Sequence, residues 1–386
     1  MKRSTDRILA SHAGVLPRSE ALQKLFTGLP GTEAEFEAAL PAAVKEVVQL
    51  QVDCGMDVVN DGEISKVGGF LAYIRGRMDG VEQHPWPGEP PKREPVNGRD
   101  RRNFPKFYET GRGASGSNVT AATNAENPYF VVAPVTYTGT AQVQRDIADV
   151  KAACEGLGVE PFLPGVAPGS MEHWLWNEFY PNDEAFLFAV ADVLHEEFKQ
   201  ITDAGVILQV DDPDLPDGWQ MFPDWSVAEY HKYAELRVDA INHALRDIPE
   251  EMVRFHICWG SQHGPHADDL PLRDFIDLVY KVKAECYSIE AANPQHEHEW
   301  RVFEEFPLPD GKILMPGVVG HATDIIEHPV AVSDRIVRYA NIVGRENVIA
   351  GTDCGLSTRV GGPEINWAKL AALGAGAEHA TKILFG

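Results

Sequence analysis

The amino-acid sequence predicts an α/β protein built as a single (β/α)8 (TIM) barrel, and three observations carry this prediction. Short apolar, β-branched runs recur along the chain with amphipathic segments between them, which is the pattern of a parallel sheet made of βα units. No G-x-G-x-x-G motif follows the first run, as a doubly wound dinucleotide-binding fold would require. No break in composition divides the 386 residues, so we expect one catalytic domain over residues 1–386.

Nine apolar runs compete for the eight strand positions of such a barrel. The run at 161–166 contains Pro161 and Pro164, which lack the backbone N–H that a sheet uses, so we exclude it as a loop or an edge segment. Helical periodicity follows the third, fourth and seventh of the remaining runs, at 184–201, 227–245 and 333–343. The eight predicted strands are 8–13, 57–60, 130–137, 206–210, 254–259, 287–290, 313–319 and 348–352.

Residues 84–127 depart from the alternating pattern. They are rich in proline, glycine and basic residues and show no apolar periodicity. We interpret them as an insertion within the barrel, because long segments of this composition are usually either functional loops or disordered. A cover over an active site, a contact in a homo-oligomer and plain disorder all stay open.

Charge and composition exclude several kinds of partner. With 34 basic and 58 acidic residues the formal charge is −24, which opposes binding to nucleic acid or to an anionic membrane surface. No apolar run approaches the roughly 18 residues that a membrane-spanning helix needs, and the first residues lack the apolar segment of a secretory signal. We therefore expect a cytoplasmic protein that uses small molecules.

Four residues at predicted strand ends have side chains that bind metal ions. Functional groups of a barrel lie where its strands end. His256 and Cys258 share one side of their strand in F-H-I-C-W, Glu290 ends Y-S-I-E, and Cys354 follows A-G-T-D. One imidazole, two thiolates and a carboxylate suit Zn²⁺, which keeps a bound thiol deprotonated at neutral pH. Each residue also has an interpretation without metal, since a buried cysteine is often a core residue and a glutamate after a strand is often a surface residue.

The remaining cysteines and the histidine-rich loops are given plainer interpretations. Cys54, Cys154 and Cys286 fall within predicted helices or just before a strand, and we expect them to be reduced packing residues. The stretches H-G-P-H at 263–266 and H-E-H-E at 296–299 lack the spacing of a complete metal site, so we interpret both as polar loops.

Short motifs along nearly the whole chain point to a known family. In order they are A-G-V-L-P near the start, D-G-E at 61–63, A-P-V-T at 133–136, L-Q-V-D-D-P at 208–213, H-I-C at 256–258, S-I-E at 288–290, P-G-V-V at 316–319 and T-D-C-G-L-S-T-R at 352–359. This set resembles the C-terminal catalytic barrel of cobalamin-independent methionine synthase and its relatives. The resemblance implies that the four strand-end residues named above bind a catalytic zinc, and that the zinc binds the thiol that receives an alkyl group.

The resemblance also implies roles in substrate binding and proton transfer. Glu63 and Asp211 match the positions that hold the amino group of homocysteine, and His321 lies close to the position of a proposed proton donor. Two departures concern the folate donor and the homocysteine acceptor. Val15 replaces a serine, and the tryptophan that stacks on folate is absent, with Tyr137 as the nearest aromatic residue.

A related branch, the epoxyalkane:coenzyme M transferases, adds a sulfonated thiol to an epoxide. An anionic acceptor of this kind needs a cation, for which Arg18 and Lys66 are the candidates. The predicted function is therefore zinc-dependent S-alkylation of a small thiol, with a methyl-folate as the first donor and an epoxide as the second. A metal-free barrel resembling the porphyrinogen decarboxylases and a zinc-binding protein without turnover are the alternatives.

Overall fold

The computed structural model describes residues 1–26, 32–66, 68–89, 94, 96–110 and 128–386. The described strands are β1 (Leu9–Ala10), β2 (Val58–Val59), β3 (Met78–Gln83), β4 (Tyr129–Tyr137), β5 (Glu160–Val166), β6 (Trp176–Asn177), β7 (Ile207–Asp211), β8 (Val253–Ile257), β9 (Cys286–Ile289), β10 (Ile313–Val319) and β11 (Ile349–Thr352). The described α-helices are α1 (Glu20–Phe26), α2 (Glu33–Asp53), α3 (Ala72–Arg75), α4 (Gly98–Asn103), α5 (Pro105–Glu109), α6 (Thr140–Cys154), α7 (Pro168–Trp174), α8 (Asp183–Asp203), α9 (Asp214–Met221), α10 (Val227–Ala244), α11 (Ile276–Lys281), α12 (Val302–Glu305), α13 (Pro329–Val343) and α14 (Pro363–Leu384).

Eight parallel strands form the barrel wall, in the order β1–β11–β10–β9–β8–β7–β5–β2. The wall closes where the backbone N–H of Asp57 donates to the carbonyl of Ala10 at 2.8 Å, which links β2 to β1. Helices separate the strands, most of them long, and bury their apolar faces against the outside of the wall. The predicted (β/α)8 fold is therefore confirmed.

The third strand of the barrel was predicted wrongly. The excluded run forms β5 and lies between β2 and β7, whereas β4, the run at 130–137, pairs with β3 and β6 in a separate three-stranded sheet. Both prolines of β5 lie where no ladder bond is needed. The nitrogen of Pro161 is on the side of β7, but β5 pairs with β7 only from Phe162 onward. The nitrogen of Pro164 is on the side of β2, but β5 pairs with β2 only up to Pro161.

Alternation along the strands sorts the barrel interior into layers. The lower layer is apolar and includes Leu9, Val58, Phe162, Ile207, Cys286, Ile313 and Ile349. The middle layer is polar, with a fully buried Arg254 at its centre. Asp211 and His256 face each other in the next layer, and Glu290 follows directly after the end of β9, so the chemistry-bearing residues collect at the carboxyl ends of the strands.

The three helices expected from periodicity are present as α8, α10 and α13. Side-chain caps fix where two of them begin. At α8, Asn182 accepts from the N–H of Ala185 at 2.8 Å, and at α10, Ser226 and Glu229 form a reciprocal capping box. Each such cap stabilises a helix by about 1 kcal/mol. No helix among the described residues is both long enough and apolar enough to cross a membrane.

The region interpreted as an insertion is only partly described, since residues 90–93, 95 and 111–127 lie outside the described ranges. Within it, α4 and α5 are helices that apolar periodicity did not predict. Tertiary contacts form them instead, because Arg99 donates to the carbonyls of Trp219 and Phe222 at 2.9 and 2.7 Å and lies over the Trp219 ring. The α4 helix thus docks beside α9, close to the carboxyl ends of the strands.

Cys54, Cys154 and Cys286 have the surroundings expected of packing residues. All are free thiols, and they lie at the ends of α2 and α6 and the start of β9. Burial raises the pKa of Cys154 to about 11 and that of Cys286 to about 12, so both stay protonated at neutral pH.

Candidate metal centre and active site

Three of the four predicted metal ligands converge above the barrel interior. The nearest ligand atoms of His256, Cys258 and Cys354 all lie within 4.8 Å of one another. The two sulfur atoms are 3.7 Å apart, and Ser261 Oγ lies 3.7 Å from the sulfur of Cys354. His256 and Cys258 are each only 2 % exposed. The structure therefore places an imidazole and two thiols in one group, buried at His256 and Cys258 and half-buried at Cys354.

The donor atoms fit a tetrahedral zinc ion. Nε2 of His256 is buried and has no hydrogen-bond partner among the described residues, while Nδ1 contacts Ser288 Oγ at 2.9 Å and is thereby oriented. Two thiolates that each lie about 2.3 Å from a tetrahedral zinc are about 3.8 Å apart. The observed sulfur separation of 3.7 Å agrees with this spacing. The residues present fit the metal that the sequence predicts.

The electrostatics of the two cysteines differ. The Cys258 thiol donates toward Cys354, and this contact, with His256 and His321 nearby, holds the pKa of Cys354 well below its ordinary value although burial opposes the shift. The same contact and burial raise the pKa of Cys258. Two adjacent thiols disfavour carrying two negative charges, so a cation is needed before both sulfurs can be deprotonated.

Glu290, the fourth predicted ligand, lies in an adjoining group. One carboxylate oxygen of Glu290, one ring nitrogen of His321 and one oxygen of Asp353 lie within 4.8 Å of one another. Glu290 accepts hydrogen bonds from the N–H of Trp259 at 2.8 Å and from Asn293 at 3.0 Å. Its place beside Cys258 keeps it a candidate ligand, which stays a prediction.

His321 and Asp353 complete this second group. His321 is 1 % exposed, and neither ring nitrogen has a hydrogen-bond partner among the described residues. Asp353 accepts from the N–H groups of Ala291 and Ala292 at 2.8 and 2.7 Å, which fixes the backbone directly after Glu290. Gly317 makes room for it, because a Cβ at that position would lie 2.2 Å from the Asp353 carboxylate. Sequence reasoning missed Asp353, although it precedes Cys354 in the motif.

Glu63 stands on a tight turn at the end of β2. Its backbone has a φ of 54°, a left-handed conformation that costs a residue with a side chain about 1–2 kcal/mol. Asp61 accepts from the Glu63 N–H at 2.9 Å and holds the turn. Gly14 leaves space for the side chain, since a Cβ there would lie 2.8 Å from Glu63 Oε1. Strain of this kind collects at functional sites.

Asp211 ends β7 directly beside His256 on β8. The amide nitrogen of Gln209 donates to the Asp211 carboxylate at 2.6 Å, and the amide oxygen of Gln209 accepts from Arg254 at 2.7 Å. The buried guanidinium therefore orients the Gln209 amide. Burial raises the pKa of Asp211 to about 7. The neighbouring Asp212 has a different task, because it accepts from the N–H of Leu215 at 3.0 Å at the start of α9. Sequence reasoning did not identify Gln209 or Arg254.

The structure places three other predicted substrate residues in established contacts. Arg18 donates to the carbonyls of Ile64, Glu63 and Lys66 at 2.9, 3.2 and 3.1 Å and so braces the Glu63 turn. Lys66 pairs with Glu63 at 3.1 Å and donates to Pro164 at 2.8 Å. Tyr137 donates to Glu197 at 2.6 Å, on the side sheet. Their substrate roles stay predictions.

A buried ion-pair cluster lies beneath the loop that follows β8 and involves both histidine-rich stretches. Asp269 Oδ2 lies 2.7 Å from His266 Nδ1 and 3.2 Å from His296 Nε2, and the second His296 nitrogen lies 2.9 Å from Glu299. Burial lowers the pKa of both imidazoles, but Asp269, joined at His296 by Glu299, outweighs burial and raises each pKa to about 9. Both histidines therefore carry a charge at neutral pH and hold the loop that bears Ser261.

This cluster predicts a pH dependence of stability. A histidine whose pKa is about 6.5 unfolded and about 9 folded adds roughly 3 kcal/mol below pH 6.5, and this contribution is lost as pH rises to 9. We expect Asp269→Asn to lower the free energy of unfolding by about 3 kcal/mol at pH 6.5 and to flatten its decline toward pH 9. Urea unfolding at a series of pH values measures both.

The control for this experiment is Asp277→Asn, which breaks the exposed pair between Asp277 and His231. An exposed pair contributes less than about 1 kcal/mol, so this variant should keep the pH profile of the parent protein. An unchanged slope in Asp269→Asn would contradict the assignment of charge to the two histidines.

Comparison with known proteins points to one family. The family model described as the catalytic domain of the cobalamin-independent synthase matches residues 127–374. A methionine synthase of Pyrococcus furiosus is 25 % identical over 195 residues, which cover 50 % of each chain. A 5-methyltetrahydropteroyltriglutamate–homocysteine methyltransferase of Thermotoga petrophila is 21 % identical over 337 residues, 85 % of this chain and 38 % of that protein. The chain thus spans half or less of the length of these curated relatives.

A solved structure shares the fold over the whole chain. The B12-independent methionine synthase from Shewanella sp. W3-18-1, in complex with selenomethionine, superposes with a TM-score of 0.72 and covers 98 % of this chain and 99 % of its own. At 23 % identity this likeness shows the shared barrel architecture.

Proposed function

Because the chain belongs to the family of the cobalamin-independent synthase catalytic domain, we propose that it is a zinc-dependent enzyme that transfers an alkyl group to the sulfur of a small thiol. One observation carries this proposal: His256, Cys258 and Cys354 present an unpartnered nitrogen and two sulfurs in one group. Glu290 is the proposed fourth ligand. Zinc bound by this set lowers the pKa of a substrate thiol and so supplies a thiolate nucleophile at neutral pH.

The side chains around this group bind and align the thiol. Glu63, after β2, and Asp211, at the end of β7, present carboxylates on either side of β5, which suits the ammonium group of an amino-acid thiol. An arriving ammonium stabilises the charged form of Asp211, whose pKa of about 7 otherwise leaves it partly protonated. Holding both ends of the thiol converts its reaction with a second bound substrate into a step between aligned groups.

His321 is proposed to handle the proton of the alkyl donor. Alkyl transfer leaves basic charge on the departing group, and a histidine can neutralise it near neutral pH. Its two unpartnered ring nitrogens at 1 % exposure support this assignment. A methyl donor is our first proposal, since the relatives are named as methionine synthases and a methyl-folate–homocysteine methyltransferase. Val15 and the absence of a folate-stacking tryptophan keep an epoxide as the second.

A proton-release measurement tests the thiol step directly. Mixing the zinc-loaded protein with homocysteine or 2-mercaptoethanesulfonate in weak buffer is expected to release about one proton per site as the thiol becomes a thiolate. A dye that reports pH detects this proton without any alkyl donor. The Cys354→Ala variant is expected to release none.

The outcomes separate the proposed function from its alternatives. Release with a thiol, followed by product with a methyl-folate or an epoxide, identifies both substrates. Zinc without release by any thiol would favour a zinc-binding protein without turnover. A parent protein that retains no zinc would favour a metal-free barrel.

A further inference from the structure

Arg359 is a guanidinium whose hydrogen bonds, among the described residues, go to backbone carbonyls. It ends the T-D-C-G-L-S-T-R motif, where its Nε donates to the carbonyl of Ser261 and its Nη1 donates to the carbonyl of Thr358 at 3.2 Å. Its Nη2 is buried and has no hydrogen-bond partner among the described residues. A charged donor that is buried without an acceptor is unfavourable, so a group beyond the described residues is needed to satisfy it, and a bound anion would do so.

No carboxylate of the described residues forms an ion pair with Arg359. Burial lowers the pKa of its guanidinium, and the acidic group that acts against this shift is the Cys354 thiolate. The two cations that the sequence suggested for an anionic substrate are engaged elsewhere, because Lys66 pairs with Glu63 and Arg18 braces the same turn. Arg359 is therefore the better placed cation for an incoming anion.

The position of Arg359 fits a substrate that starts at the metal ligands. Its guanidinium is anchored on Ser261, whose hydroxyl lies 3.7 Å from the sulfur of Cys354. A short thiol whose sulfur reaches the Cys354 group would place a substituent two or three bonds away within reach of this loop. The planar guanidinium presents donors that match a carboxylate or a sulfonate.

We propose that Arg359 binds the anionic end, a carboxylate or a sulfonate, of the thiol substrate. This inference rests on the proposed function and adds a substrate class to it. The chain thereby selects acidic thiols over neutral ones, although its net charge of −24 disfavours anions in general.

Binding of three small thiols tests the proposal. Calorimetric titration of the zinc-loaded protein with 3-mercaptopropionate, 2-mercaptoethanesulfonate and neutral 2-mercaptoethanol compares a carboxylate, a sulfonate and a hydroxyl on similar chains. We expect the parent protein to bind at least one acidic thiol about 10- to 100-fold more tightly than 2-mercaptoethanol. The tighter of the two acidic thiols identifies the anion.

The Arg359→Met variant should lose this preference and keep its affinity for 2-mercaptoethanol. Arg273→Met is the matched control, because Arg273 is 57 % exposed and pairs with Glu305 on the surface. Arg359→Lys keeps the charge without the paired guanidinium donors and should retain part of the preference. This variant also tests the proposal if Arg359→Met does not fold.

Two results would overturn the assignment. In one, the parent protein binds acidic and neutral thiols equally, which leaves the proposed function intact and removes the role of Arg359. In the other, the preference persists in both Arg359 variants. Absence of binding by all three thiols would overturn this inference, and the proposed function fails with it only if homocysteine also releases no proton from the zinc-loaded protein.

Discussion

Replacing Cys354 with alanine is expected to reduce bound zinc from about one ion per chain to well below half an ion, and to abolish alkyl transfer. Cys354 supplies one of two sulfurs that lie 3.7 Å apart. Cys258, His256 and His321 hold the pKa of Cys354 well below its ordinary value. Without Cys354, zinc keeps only one of the two thiolates, that of Cys258, with His256 and the proposed ligand Glu290, and is held more weakly than by the complete tetrahedral set.

Metal analysis of protein purified with zinc measures this effect, and Cys154→Ala is the matched control. Cys154 is a free thiol at the end of α6, and burial raises its pKa to about 11. We expect the control to keep its zinc. Equal metal content in the parent, the control and Cys354→Ala would rule out this centre, whereas loss in both variants would indicate general unfolding.

The barrel could be predicted from the sequence because the pattern that indicates it lies within short segments of the chain. Strand runs with helical segments between them can be recognised without knowing which strands are neighbours. The same locality explains the error at the third strand. Whether a proline is tolerated depends on which side of the strand carries the ladder, and that follows from the pairing of β5 with β2 and β7. The run at 130–137 looked equally strand-like, and its place in the side sheet depends on β3 and β6.

Residue types at strand ends predicted the convergence of His256, Cys258 and Cys354 for a similar reason, and their binding of a metal stays a prediction. His256 and Cys258 share one strand, and parallel strands bring their carboxyl ends together, so the motif carried most of the geometry. What the sequence could not show is which charges the protein neutralises itself. In the sequence, Arg18, Lys66 and Arg359 are equivalent basic residues. Only the tertiary contacts show that Arg359 retains an unpartnered nitrogen among the described residues.

Replacing His321 with glutamine is expected to lower kcat by about 100- to 10,000-fold while leaving thiol affinity and zinc content unchanged. His321 is buried, its ring nitrogens have no partner among the described residues, and carboxylates of Glu290 and Asp353 lie within 4.8 Å of it. Glutamine keeps much of the volume and the hydrogen-bonding capacity but cannot transfer a proton. The loss should therefore appear in the chemical step and not in the binding of the thiol.

Zinc content decides between the two roles that this position permits. His321 adjoins Glu290, so a histidine that acted as a metal ligand would also be buried and unpartnered. As a proton donor it can be replaced without loss of metal, and thiol-dependent proton release should persist in His321→Gln. Loss of zinc together with kcat would instead make His321 a ligand. The exposed His263 provides the control, since His263→Gln should change neither quantity.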